Sequence, residues 1–369
     1  MSSIAGARLR AQRLTGKPFG DAIEAVGGLC AVQSQDYPAA KWALAQRLEA
    51  VTDAALDDLY DRGAILRTHV LRPTWHFVLP EDVRWLLRLT GPRVMAGAAG
   101  RLRQLEIDRD VIARARAAWH AALAGGRSMT RPELGGALVA AGISPEGQRL
   151  LYVLMALELE GFLTSGPRRG KLLTWALLDE RAPASGSLEP EDPLHELAGR
   201  YFRCHGPAQL QDFAWWSGLT LAEARKGIVR AGADLASRSI DGKDYWHDPD
   251  LDWRPAAESV VNLLPNFDEY TVGYRDRSAL LHADYPFRPE LFSFSSILSN
   301  IVTAGGELRG AWRKVATARG AHLEVRPLAP LGGAVRAGVI KAARRFGLFL
   351  GRDVGLAWIQ SNGHVSGPS

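Results

Sequence analysis

The chain has 369 residues, 47% apolar and 23% charged, a globular balance that excludes a disordered or fibrous chain and suits about two to four modules with buried cores. No apolar run approaches the roughly 18–20 residues that span a bilayer. Met1–Gly16 has Arg8, Arg10 and Arg13 but no apolar signal stretch, and Cys30 and Cys204 alone make neither a disulfide scaffold nor a zinc finger, so a cytoplasmic, reduced compartment is expected.

The formal net charge is +5, carried by 38 Arg and 7 Lys. Ten of these cations, against two acids, fall between Ile301 and Arg352. A basic region concentrated in one place points to a polyanion partner. A GC-rich genome also inflates arginine, and composition alone leaves the two readings even.

In chain order, Gly20–Gln33, Ala39–Leu48 and Asp53–Arg62 read as helices, followed by a β-prone pair within Ile65–Val78 and a helix opened by Pro80-Glu81-Asp82. Three helices and a strand pair is the layout of a winged helix-turn-helix. After a linking helix near Asp110–Ala124, Thr130, Pro132 and Glu133 form a capping-box start. That helix ends near Gly142 and a second spans Glu146–Glu160. A hairpin follows, Phe162–Ser165 with Lys171–Leu178, its turn carrying Arg168 and Arg169. Ala182–Asp192 reads as a linker. A third set has helices Pro193–His205, Ala208–Ser217 and Thr220–Ala231. Its hairpin turns at Asp241-Gly242, a favoured two-residue loop, in acidic surroundings that suit a wing facing away from DNA. Beyond Arg254, strands are expected at Ser259–Leu264, Ile297–Thr303, Leu308–Ala316, Ala321–Leu328 and Gly355–Ile359, with a tight turn at Gly305-Gly306 and a basic helix at Gly332–Leu350. The expected fold is α+β: three tandem winged helix-turn-helix modules (1–108, 109–182, 183–253) and a small β-rich domain with a protruding hairpin (254–369). Such modules also serve protein–protein contacts.

The sequence lacks a Walker A loop, a zinc-deaminase signature and a His-Glu-x-x-His metal motif, and its nine histidines are scattered; neither metal nor cofactor is expected. The unusual local feature is Gln33-Ser34-Gln35-Asp36-Tyr37-Pro38, in which an apolar helix runs into two amides and a carboxylate. Pro38 disfavours helix at Tyr37, so the helix is expected to unwind there and bring Gln33 and Gln35 to one side near a negative helix C-terminus. On the bare pattern alone, an ordinary polar helix end is the better reading. Leu71–Phe77 holds Arg72, Trp75 and His76; Trp75 by itself reads as core and Arg72 as surface. Leu263–Arg277 packs aromatics, acids and arginines densely enough for a buried polar network between domains.

Together with Glu307–Lys314, these motifs resemble, over nearly the whole chain, the winged-helix DNA glycosylases of the AlkZ/YcaQ type. The two-glutamine form is similar to the AlkZ branch; Ser34 departs from the apolar residue often found there. The resemblance implies a catalytic pair, Gln33 and Gln35, and a place in self-resistance to DNA-alkylating natural products, with interstrand crosslinks among the substrates. A purine alkylated at N7 or N3 is already cationic and leaves as a neutral base, so neutral amides near C1′ suffice. Gln35 is expected to hold the attacking water through its carbonyl, Gln33 to orient the water or the sugar, and Asp36 to act as electrostatic partner or base. The nearest lysine, Lys41, lies outside the motif, so no Schiff base is expected. Candidate DNA contacts are Arg72, Trp75, His76, Arg168, Arg169, Arg309, Arg313 and Lys314. The expected partner of this monomer is duplex DNA bearing alkylated purines, met by a shallow site. A tandem winged-helix regulator, reading bases from Gln148 and Arg149, and a lesion binder without catalysis are the competing readings.

Overall fold

The computed structural model describes residues 2–282, 300–317, 320–359 and 365–366. It is a mixed α+β structure. It opens with a helix not assigned from sequence, α1 (Ser2–Ala11), whose apolar Leu9 packs with Leu264, Tyr270, Ile301 and Leu308 far along the chain.

One chain order then recurs: helix, strand, helix, helix and a strand pair, with the first strand joining the last. Its first occurrence comprises α2 (Ala22–Leu29), β1 (Val32–Gln33), α3 (Tyr37–Ala45), α4 (Asp53–Asp61), β2 (Leu66–Val70) and β3 (Arg72–Val78), in sheet order β1-β3-β2. The long α5 (Val83–Gln104) leads to the second: α6 (Arg109–Leu123), β4 (Met129–Thr130), α7 (Arg131–Ala140), α8 (Arg149–Leu159), β5 (Leu163–Arg169) and β6 (Leu172–Leu177), in order β4-β6-β5. After α9 (Leu178–Arg181) comes the third: α10 (Pro193–His205), α11 (Leu210–Ser217), α12 (Leu221–Ala231), β7 (Ala236–Ile240) and β8 (Lys243–His247). Here a single bridge from Ala208 to Trp246 stands where the first strand would be. Local chemistry sets these boundaries. Thr130 with Glu133 and Thr220 with Glu223 form capping boxes, and Asp241-Gly242 takes the double positive-φ turn that a two-residue hairpin needs.

The remainder contains β9 (Val261–Leu264), α13 (Glu269–Val272), β10 (Ile301–Ala304), β11 (Glu307–Thr317), β12 (Gly320–Pro327), α14 (Gly333–Leu350), β13 (Val354–Ile359) and β14 (Val365–Ser366). They form one six-stranded sheet in order β14-β13-β12-β11-β10-β9, with α14 as the crossover between parallel β12 and β13. Residues 297–299 of the expected strand Ile297–Thr303, and Arg319, lie outside the described residues.

The cores cut across the expected segments. Trp42 of α3 packs edge-on to Phe346 of α14 at 4.8 Å and donates its indole N–H to the Leu263 carbonyl at 2.8 Å. The first repeat and the C-terminal sheet therefore bury one common core. A second core joins β2, β3 and α5 to α10–α12, and a third lies within the second repeat.

Candidate active site between the first strand pair and the third repeat

The helix expected to run to Gln33 ends at Leu29, with Cys30 at a positive φ. Gln33 instead lies in β1, opposite His76 of β3. Pro38 does not end a helix; it occupies the first turn of α3, where its missing N–H costs nothing. The motif therefore sits at a helix N-terminus, with positive rather than negative partial charge. Asp36 is the N-cap, its Oδ1 accepting the Ala39 N–H at 3.2 Å, which commits one carboxylate oxygen locally.

From Gln33 to Gln35 the three side chains differ in burial and partners, and β1 ends at Gln33. Ser34 is fully buried, its N–H donating to the Trp75 carbonyl at 2.7 Å and its own carbonyl accepting from Arg67 Nε at 3.0 Å. Gln33 is buried and Gln35 exposed. Arg72 Nη2 donates to Gln33 Oε1 at 3.0 Å, and the Trp75 backbone N–H reaches Gln35 Oε1 at 3.5 Å. With its oxygen engaged by Arg72, Gln33 presents its NH2 group as donor. Gln35 Oε1, held only by that long contact, keeps acceptor capacity toward solvent.

Beneath this pair lies a carboxylate missed from sequence. Glu269 Oε1 accepts the Gln33 backbone N–H at 2.7 Å; Oε2 accepts from Trp216 Nε1 at 2.9 Å and lies 3.3 Å from His205 Nε2. Burial pushes its pKa up, but the hydrogen bond and charge of His205, the Gln33 N–H and the Arg72 charge outweigh it and hold it at about 2. A permanent buried charge thus anchors β1 to α10 and α11. The acid-rich Leu263–Arg277 motif was its only trace in the sequence, and the structure shows that motif to be a buried network: Asp268 is bidentate to Arg47 at 2.8 and 3.0 Å.

Trp75 is half-buried. Its indole N–H donates to Glu158 Oε2 at 3.1 Å, and the same buried carboxylate takes Trp175 Nε1 at 2.7 Å and the ring and backbone of His69. Arg67 lies 4.4 Å from the Trp75 ring. The indole is thus fixed by the second repeat, leaving only part of its face accessible. His76 is fully buried, with Nδ1 against the Thr74 carbonyl at 2.9 Å. Burial, then the charge of Arg72, lowers its pKa to about 3, so it is a neutral interior residue and not a DNA contact.

The first hairpin is clamped to the third repeat at Gly218, whose φ is +71. A Cβ there would meet the Leu71 carbonyl at 2.2 Å, so this position needs glycine both for conformation and for space. The clamp brings Trp215 of α11 beside Arg72. Next to them a groove of about 550 Å³ is lined by Leu71, Arg72, Pro73, Val94, Tyr152 and Met155, among others.

Most of the arginines expected to grip DNA are already engaged. The second turn falls at Gly170-Lys171, placing Arg168 and Arg169 in β5. Arg168 pairs with Asp57 at 2.7 Å and Asp61 at 2.8 Å; Arg169 pairs with Glu133 at 2.5 Å. Arg309 is buried between Glu258 (3.1 Å) and Glu307 (3.4 Å), and exposed Arg313 pairs with Glu324 across β11 and β12. Each of these four has an acid of its own chain within reach, so a phosphate would compete with that acid. Lys314 is exposed and has no ion pair among the described residues. Lys41 is buried against Asp53 and Asp57, inaccessible as a nucleophile. Among the described residues no helix is long and apolar enough to cross a membrane.

A protein from Streptomyces sahachiroi described as an interstrand DNA cross-link repair glycosylase is 26% identical over 331 residues, covering 84% of this chain and 86% of that one. The solved structure of the Streptomyces sahachiroi DNA glycosylase AlkZ superposes with a TM-score of 0.76 at 20% identity, covering 97% of this chain and 99% of that one; this likeness speaks for the fold. The family model for AlkZ-like DNA glycosylases matches residues 26–349. With its fold shared and its length matched, the chain belongs to the AlkZ-like DNA glycosylase family and is a hydrolase of N-glycosyl bonds.

Proposed function

We propose that the protein is a monofunctional glycosylase for purines made cationic by alkylation, N7-alkylguanines above all, including bulky adducts and interstrand crosslinks. Its setting is self-resistance to a DNA-alkylating natural product, acting as a monomer in the cytoplasm. The single observation that carries this reading is the complementary state of the two amides: Gln33 pinned through its oxygen with its NH2 free, and Gln35 exposed with its oxygen largely free. Gln35 Oε1 holds a water toward C1′, and Gln33 donates to the water or the sugar. As the C1′–N9 bond breaks, its electron pair neutralises the charged base, and the water adds to C1′ while its proton passes to solvent at the rim beside Asp36. No acid need protonate the leaving base, in keeping with a site whose strongest carboxylate, Glu269, is buried behind the glutamines.

The three recurring units are read as winged helices in segments 1–108, 109–182 and 183–253, and 254–369 as the unit whose β11–β12 hairpin meets DNA through Lys314. Exposed Lys341 and Arg344 of α14 add uncommitted charge. The regulator reading loses ground at α8: Arg149 bonds to Ser144 and Leu105 carbonyls and Gln148 to Arg101, leaving little to read bases. The test is incubation with an N7-methylguanine duplex followed by alkali. Strand breaks at the lesions, lost in Gln35→Ala, are expected; a sequence-specific footprint without breaks, or binding without base release, would overturn the reading.

A further inference from the structure

α11 carries adjacent tryptophans with opposite fates. Trp216 is buried on Glu269, whereas Trp215 is 45% exposed, its indole N–H held by the Val272 carbonyl at 3.2 Å. The guanidinium carbons of Arg72 and Arg277 each lie 5.9 Å from the Trp215 ring centroid, so they are no further apart than twice that distance. Neither forms an ion pair among the described residues. Several other sequestered arginines have a carboxylate, as Arg8 with Asp212 and Arg47 with Asp268, or several carbonyls, as Arg181 with those of Ser165, Asp61 and Tyr60; buried Arg67, with the Ser34 carbonyl and the Trp75 ring, is as sparsely bonded as Arg72 and Arg277. Arg277 makes one hydrogen bond, from Nε to the Thr271 carbonyl at 2.7 Å. Arg72 makes one, to Gln33, and its Nε is buried without a partner.

The neighbouring acids are already engaged. Glu269 is filled by Gln33, Trp216 and His205. Asp212 takes Arg8 and the backbone N–H groups of Arg275 and Asp276. Burial lowers the pKa of both arginines by more than the charge of Glu269 raises that of Arg72 or the charge of Asp212 raises that of Arg277, and the Arg277 charge lowers that of Arg72 further. Two desolvated like charges held near one ring are costly until an anion enters.

We propose that Arg72, Arg277 and Trp215 form a clamp for one backbone phosphate of the damaged strand, beside the nucleotide being cleaved. This rests on the reading of Gln33 and Gln35 as the reacting amides and adds a positioning site to it. The two guanidinium groups suit a phosphodiester through charge-assisted hydrogen bonds, while the Trp215 face shields it from water. Because Arg72 also touches Gln33, the phosphate bound there fixes C1′ relative to the amides. A phosphate contact sets register without reading sequence, and this one converts binding of the strand into alignment of the sugar.

The test uses the full chain and a set of N7-methylguanine duplexes in which single phosphates flanking the lesion are replaced, one at a time, by neutral methylphosphonate. Wild-type single-turnover release should fall roughly tenfold or more at one position. Arg277→Ala should show that loss on the natural duplex and no further loss at that position, while Arg277→Lys recovers part of the rate; melting temperatures check that both variants fold. Unchanged release in Arg277→Ala, or losses that multiply with methylphosphonate at every position, would overturn the clamp. Should wild type release nothing from the natural duplex, the glycosylase reading fails separately. The clamp is then judged by the same phosphate scan read as affinity for a duplex with a tetrahydrofuran abasic analogue, where absence of a position lost jointly with Arg277→Ala rejects it.

Discussion

Two strand pairs of this protein share a topology and differ in what they do with their arginines. In β2–β3, Arg72 turns toward Gln33 and Trp215 with hydrogen-bonding capacity left over. In β5–β6, Arg168 and Arg169 are spent on Asp57, Asp61 and Glu133, and the strand lies against the first repeat, Ser165 Oγ accepting the Arg67 N–H at 2.9 Å. One hairpin carries the proposed site and the other braces it. A basic residue near a hairpin turn meets DNA more readily when no acid of its own chain holds it first.

The contrast is most sharply broken at the glutamines. Gln33→Ala and Gln35→Ala should each lower single-turnover release of N7-methylguanine by roughly 10²–10³-fold with little change in melting, whereas Arg168→Ala should leave release unchanged; equal effects would erase the distinction. Bracing itself is tested at Glu158, which joins the two hairpins. Glu158→Ala leaves the indole N–H groups of Trp75 and Trp175 unpaired and should cost roughly 3–5 kcal/mol in urea unfolding, and a cost under 1 kcal/mol would refute the bracing role.

A third prediction concerns pH. Unfolded, His76 takes up its proton near 6.5; folded, it stays neutral to about 3. The unfolded state then holds more protons within that window, so stability is full above it and declines as pH falls through it, by at most about 1.4 kcal/mol per unit. Glu269, ordinarily at 4.5 and held at about 2, adds a loss of the same sign below 4.5. Unfolding of His76→Gln should lack the part of the slope between 4.5 and 6.5. A smaller effect separates bound from free cations: Lys314→Ala should reduce the slope of log affinity against log salt by about one, and Arg168→Ala should not change it. Smallest is Ser34→Ala. The buried Ser34 hydroxyl has no partner, so its removal should raise stability by about 0.5–1 kcal/mol; a decrease would mean that the hydroxyl is hydrogen-bonded.

Reading by residue explains what was visible beforehand. Thr130, Thr220 and Asp241-Gly242 act through near neighbours, so their helix starts and hairpin turn could be read directly. Gln33 and Gln35 stood out by residue type, but the unwinding helix expected around them is replaced by the end of β1 and the start of α3. Pro38 misled because proline is as much a first-turn residue as a helix stopper. Trp215 and Trp216 left a usable signal: adjacent positions on a helix cannot both face one core.

From the amino acids alone came the α+β class, most element boundaries, the two amides and the concentration of basic charge, since all of these depend on composition or on neighbours a few residues apart. Only the folded chain decided which charges remain available. Arg309 meets Glu258, Arg168 meets Asp61, Gln33 meets Glu269 and Arg72 meets Trp215 across separations of 51, 107, 236 and more than a hundred positions, and electrostatic partnership falls off with distance in space, not along the sequence.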